Sequence, residues 1–162
     1  MSRAYVSDVL PAPVDTVWAV LGRFEGIADF VEKLSGGELE GDAGPAVGAV
    51  RRLVIRDGGQ VVRERLVGMD AVDRSYSYDF PPGENPFPVR SYRATIRVRP
   101  VTRTNETFVE WYGDFDSDAD VEAEMREAFV SRYSTFLRNL CGHLGLPSAD
   151  QSSLSSGRDL AR

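Results

Sequence analysis

Residues 89–99, VRSYRATIRVR, alternate as a β-strand with one buried face does. Tyr92, Ala94, Ile96 and Val98 share one face, and Arg93, Thr95, Arg97 and Arg99 share the other. The stretch Gln60–Met69 repeats the pattern: Val62, Glu64, Leu66 and Gly68 oppose Arg63, Arg65, Val67 and Met69. Two residues break the apolar phase, the phenol of Tyr92 and the carboxylate of Glu64. A polar group buried without a partner is costly. Their presence therefore implies either cross-strand pairing or a cavity with polar anchors.

Working outward, Ala49–Arg56 reads as a strand turned back by Asp57-Gly58-Gly59, a hairpin signal. Ser75–Phe80 places Tyr76, Tyr78 and Phe80 on one face, and Thr107–Phe115 is the last strand. Residues 81–86, PPGENP, hold too much proline for sheet. Upstream, Ala4–Leu10 is a strand broken by Pro11 and Pro13. Val14, Val17, Trp18 and Leu21 then recur at helical spacing up to Gly22. Residues 24–34 suggest a second short helix, and Gly36, Gly37, Gly41 and Gly44 mark turns around a short strand. Downstream, Asp118–Leu144 is a long amphipathic helix whose inner stripe includes Met125, Phe129, Tyr133, Phe136 and Leu137. Asp116, Ser117 and Asp118 offer its capping oxygens. Strands joined by short turns make an antiparallel sheet. The fold expected is α+β, a curved sheet of about seven strands wrapped on the C-terminal helix, with two short helices after the first strand. Residues 1–146 form one ligand-binding domain in this reading, and 147–162 a flexible tail.

Composition narrows the function. At 162 residues the chain suits one domain with a full core. A net charge of −6 argues against nucleic acid as partner. No apolar run is long enough to span a bilayer, and Met1–Tyr5 lead straight into a strand pattern with no signal peptide expected. Cys141 is the only cysteine, which fits a reducing cytoplasm; His143 is the only histidine, which disfavours metal clusters and a Ser-His-Asp relay. Lys33, the only lysine, reads as a solvated residue. The arginines of the polar strand phases read as a solvated outer sheet face; the sharper alternative is a docking surface for an acidic carrier protein.

PAPVDTVWAVLGRFEGI (11–27) and VGAVRRLVI (47–55) resemble the first helix and third strand of bacterial polyketide cyclase/dehydrase-like members of the START-like, or SRPBCC, superfamily, the birch-pollen-allergen fold. VRERLVGMDAVDRSYSYDF (62–80), VRSYRATIRV (89–98) and FVEWYGDF (108–115) are similar to the plant abscisic-acid receptors. The resemblance spans residues 4–146. It implies a helix gripped in a seven-stranded sheet over a hydrophobic cavity that takes a small hydrophobic ligand. It also implies pocket polar residues at Glu64, Tyr92 and Glu110, with Arg51 on the inner phase of the third strand. The receptors' proline-containing gate loop is absent, replaced by Asp57-Gly58-Gly59. Their latch gives way to the loop near Pro86, and their ligand-pairing lysine has no match in register. A bacterial relative is therefore expected rather than a hormone receptor, and the near-total use of arginine over lysine suits a GC-rich genome.

The strand 107–115 is ambiguous. Val109, Trp111 and Phe115 fit a buried set, with Glu110 outside; only the resemblance turns Phe108, Glu110 and Tyr112 inward. Trp111, if outward, would offer a homodimer contact. In the catalytic reading Glu64 and Glu110 move protons, Tyr92 or Tyr112 stabilises an oxyanion, and Arg51 holds a carboxylate or enolate. The plain alternative is a structural ion pair of Arg51 with Glu64 or Glu110. Leu53, Ile55, Tyr76, Tyr78, Phe80, Ala94, Met125, Phe129 and Tyr133 complete the expected ligand walls. No cofactor is required. The function expected is a cyclase or dehydrase-like enzyme acting on a polyketide-like substrate; a non-catalytic carrier or sensor for an apolar ligand is the alternative.

Overall fold

A computed structural model describes residues 1–42 and 44–147. The 148–162 part of the expected tail lies outside the described residues. The chain runs β1 (Ser2–Leu10), α1 (Val14–Leu21), a 3-10 helix (Phe24–Asp29), β2 (Leu34–Leu39), β3 (Val50–Ile55), β4 (Val61–Asp70), β5 (Ser75–Asp79), β6 (Ser91–Val101), β7 (Glu106–Asp116) and α2 (Glu122–His143). The seven strands form one antiparallel sheet in the order β1-β7-β6-β5-β4-β3-β2.

The helices cover one face of this sheet, as the apolar phase of the strands requires. Pro13 starts α1: its fixed φ suits the boundary, and its carbonyl accepts the first amide bonds, from Thr16 and Val17. Residues 24–29 are a 3-10 helix rather than the start of an α-helix to residue 34, and Leu34 already opens β2. α2 begins at Glu122, four residues later than the sequence suggests. Among the described residues no side chain caps it; its N-cap position is Val121, and the carboxylates of Asp116 and Asp118 are bound by Arg90. Its inner stripe, Met125, Phe129, Tyr133, Leu137 and Leu140, is buried.

Two local devices shape the sheet. Gly58 and Gly59 both have positive φ (91° and 65°), which makes the tight return from β3 to β4 accessible to glycine above all. A register shift between β4 and β5 pairs Leu66 with Tyr78 but Gly68 with Ser77, so Val67 is bulged. The bulge bends the strand and reverses its phase. Met69 therefore lies opposite inward Tyr76, contrary to the simple alternation that puts Gly68 inside. No helix among the described residues is long and apolar enough to cross a membrane.

Strand β7 settles the ambiguous phase. It is buried at every second residue, Thr107, Val109, Trp111, Gly113 and Phe115. Phe108, Glu110 and Tyr112 face outward, a correction to the placement implied by resemblance. Opposite Glu110 stands outer-face Arg97, and opposite Trp111 stands buried Ile96. Glu110 accepts a hydrogen bond from exposed Tyr5, and Tyr112 stacks on the same ring. Trp111 is fully buried, so it offers no dimer contact.

Candidate functional site

α2 leans towards β1 and β7. The space it leaves over β3, β4 and β5 is a cavity of about 270 Å³. Its walls come from segments spread along most of the chain. Ile27 and Leu34 close one end. Leu53, Ile55, Val62, Glu64, Tyr78 and Phe80 form the sheet floor. Tyr92 enters from β6, and Pro86 and Phe87 from the loop before it. Arg132, Tyr133 and Phe136 descend from α2, while Lys33 and Gln60 stand at the rim.

The floor carries one ion pair. Arg51 and Glu64 are directly opposite in register on β3 and β4, both inward. Arg51 is fully buried, and its Nε and Nη2 lie 2.7 and 2.6 Å from Glu64 Oε2. A further guanidinium nitrogen donates to the Phe24 carbonyl, and the plane lies 4.3 and 4.6 Å from the Phe24 and Tyr78 ring centres. Burial opposes the charge on Arg51, but the Glu64 carboxylate and the phenols of Tyr76 and Tyr78 raise the guanidinium above its usual value. Arg51 is thus a fixed cation beneath the cavity. Glu64 is 13% exposed and faces the space above. Both short Arg51 contacts fall on Oε2, which leaves Oε1 to the cavity.

Three phenols supply further polar atoms inside the rim. Tyr92 and Tyr133 share a buried hydroxyl–hydroxyl hydrogen bond of 2.7 Å. Two hydroxyl hydrogens and one shared bond leave one O–H to offer a ligand. Tyr78 accepts a hydrogen bond from Trp111 Nε1 at 3.1 Å, and its own hydrogen remains to be donated. Burial pushes all three phenols above their ordinary range, so they act as neutral donors.

The expected site residues divide accordingly. Glu64, Leu53, Ile55, Tyr78, Phe80, Tyr92 and Tyr133 bound the cavity. Arg51, Tyr76, Ala94, Met125 and Phe129 are buried on the same side but lie behind those walls. Phe108, Glu110 and Tyr112 are on the far face. Sequence reasoning read Lys33 as solvated and passed over Gln60, Phe87 and Arg132. Lys33 and Gln60 are polar residues at turns, and Phe87 sits in a loop whose path only tertiary packing fixes. Arg132 was detectable as a cation one residue from inward Tyr133. The outer arginines are largely engaged by acids: Arg63 with Glu40 and Glu84, Arg65 with Asp79, and Arg97 and Arg99 with Asp73.

Comparison with known proteins places this geometry. A Bacillus thuringiensis protein of known structure is 29% identical, with a TM-score of 0.74 over 86% of this chain and 96% of its own. A Thermobifida fusca protein is 26% identical, with a TM-score of 0.76 over 90% of this chain and 94% of its own. The di-domain ARO/CYC BexL from the BE-7585A biosynthetic pathway shares the fold, with a TM-score of 0.74 at 17% identity over 90% of this chain and 47% of its own. No curated protein matches the sequence. The sheet gripping a C-terminal helix is the helix-grip architecture of these neighbours. The model of one family matches residues 1–145, nearly the whole described fold, and this chain belongs to that family: polyketide cyclase / dehydrase and lipid transport.

Proposed function

We propose that the protein takes a compact, oxygenated, ring-forming molecule of polyketide type into this cavity and promotes cyclisation or water loss by proton transfer. One observation carries the reading: a carboxylate oxygen and neutral phenol donors face the same apolar, aromatic-walled space. At about 270 Å³ the cavity lies near the lower end of ligand pockets, roughly 300–1,000 Å³. That size suits a folded or fused-ring molecule better than a long extended chain. Tyr78, Phe80, Phe87 and Phe136 give flat walls for stacking.

The chemistry follows from the placement. A ketone of the substrate accepts a phenol O–H, and Glu64 Oε1 removes a proton from the adjacent carbon. The C–H electron pair becomes that of an enolate, stabilised by the phenol. The enolate carbon attacks a second carbonyl of the folded chain, and a C–C bond forms. The resulting alkoxide takes the proton back from Glu64. Glu64 then removes a second α-proton, the C–H electron pair forms the double bond, and the departing hydroxide takes that proton from Glu64 and leaves as water. Folding the substrate between fixed walls supplies much of the acceleration, and a general base typically adds about 10²–10⁴-fold. No cofactor enters this scheme.

The test is mass spectrometry of the purified protein incubated with linear poly-β-ketones and with mono- and bicyclic polyketide-like compounds. A product lighter by one water is expected. Glu64→Gln is expected to lose turnover by about 10²–10⁴-fold, with ligand affinity kept within a few fold and an unchanged far-UV circular dichroism spectrum. A second reading, a carrier or sensor, draws support from the grip of Arg51 on Glu64 Oε2, which suits an anchor. Compounds retained unchanged through desalting, with equal loss of binding in the Gln variant, would favour it.

A further inference from the structure

We infer that the molecule held in this cavity is an acid, whose anionic group stays at the mouth between Lys33 and Arg132. The inference rests on the cavity reading above and adds the charge and orientation of the ligand.

Acids outnumber bases in this chain, 25 against 19, and most arginines of the sheet and its turns have found a carboxylate. The mouth is different. Lys33 and Arg132 both border the cavity, and both also border the adjoining groove along α2. Among the described residues neither makes an ion pair. Arg132 lies 4.8 Å over the Phe87 ring instead, half-buried where the cavity adjoins the groove. The helix explains its freedom: three and four residues away stand Phe129, Ala128, Thr135 and Phe136, none of them acidic. By contrast Arg126, one to two turns earlier, binds Glu122 at 2.7 Å. Glu32 borders the groove but pairs with neither cation.

The cavity has a charge polarity along its depth. Among the described residues Glu64 is the one carboxylate of its lining and sits on the floor, 13% exposed, while Lys33 is exposed and Arg132 half-buried. An anionic group entering first would find no cation to receive it at the floor, because Arg51 is already committed to Glu64 and lies behind it. Entering last, it meets two cations near water, while the apolar body lies against the aromatic walls. Its ketone or hydroxyl oxygens then reach the phenols. One orientation is thus favoured at both ends, which is what a proton transfer at Glu64 requires of its substrate.

The experiment compares 2-naphthoate with 2-naphthamide, molecules of one shape differing in charge. Binding is followed by quenching of tryptophan fluorescence; Trp111 lies 5.3 Å from the Phe136 ring and 5.8 Å from the Tyr133 ring, both cavity walls. The naphthoate is expected to bind about tenfold more tightly than the amide, one ion-pair's worth of discrimination. That ratio should fall towards one in Lys33→Gln/Arg132→Gln, should recover in part when Arg132 is replaced by Lys in the Lys33→Gln background, and should shrink as salt is raised. Amide binding equal to naphthoate binding, or a ratio unchanged in the double variant, would overturn the inference and leave the cavity reading intact. Absence of binding by both compounds would remove the inference together with the cavity reading.

Discussion

At the scale of single residues, the cavity depends on a side chain that is missing. Gly113 lies in the middle of β7, where any β-former would otherwise serve. A Cβ there would stand 2.2 Å from Tyr133 Oη, and 3.3 Å from both Tyr133 Cζ and Tyr92 Cε2. The glycine makes room for the two phenols to meet, a known use of glycine inside strands. Gly113→Ala is expected to cost about 1–3 kcal/mol by overpacking, read as a lower urea midpoint at unchanged slope. Tyr133→Phe alone removes one hydrogen bond, about 1 kcal/mol. In the double variant the nearest clash is gone, so the loss should be smaller than the sum of the two. Strict additivity would show that the alanine harms β7 in some other way. The residues that break the apolar phase, Glu64 and Tyr92, were legible in sequence because their neighbours alternate cleanly. Gly113 was not, since nothing in a strand's own sequence says which ring will cross it.

Among the elements, the loop between β5 and β6 is the wall that ties the sheet to α2. Phe87 packs edge-on against Phe129 at 4.8 Å and lies 5.7 Å from the Phe80 and Tyr92 rings. Asn85 steadies the loop by accepting the Phe87 amide. Phe87→Ala is expected to cost roughly 1–3 kcal/mol in stability and to raise ligand dissociation more than association, checked by stopped-flow fluorescence. Pro86→Ala, which keeps the ring cluster, should do much less. The elements were largely readable, because strand alternation, the Asp57-Gly58-Gly59 turn and the α2 stripe are local signals. Two features were not. β7 has aromatic residues in both phases, since Tyr5 and Arg3 cover Tyr112 on its outer face; the buried set emerges only when Glu110 is matched with Arg97 across the sheet. The β4 bulge at Val67 is likewise a property of the pair and leaves no mark in either strand alone.

The whole molecule adds these choices into a pH profile with two different limbs. On the acid side, hydrogen bonds from Arg63, Arg99 and Arg90 hold the carboxyls of Glu40, Asp73 and Asp116 below their usual values. Their contribution is present above the ordinary carboxylate range, about pH 4, and is lost as pH falls through the lowered values. These groups are exposed, so that limb is shallow and salt flattens it. On the alkaline side, burial raises Tyr76, Tyr78, Tyr92 and Tyr133 above the ordinary phenol value of 10.0. Above that pH the unfolded chain gives up phenol protons that the folded one keeps, so unfolding is favoured as pH rises. Stability is then complete below about pH 10 and is lost on approach to the raised values. Four groups acting together make this limb steep. The tyrosinate absorbance of these four phenols should therefore rise in step with the loss of far-UV circular dichroism. A tyrosinate signal that runs well ahead of unfolding would mean that hydroxide reaches the cavity of the folded protein. A ligand bound on the phenols should move the alkaline midpoint upward, because it adds stability to the one state in which those phenols keep their protons.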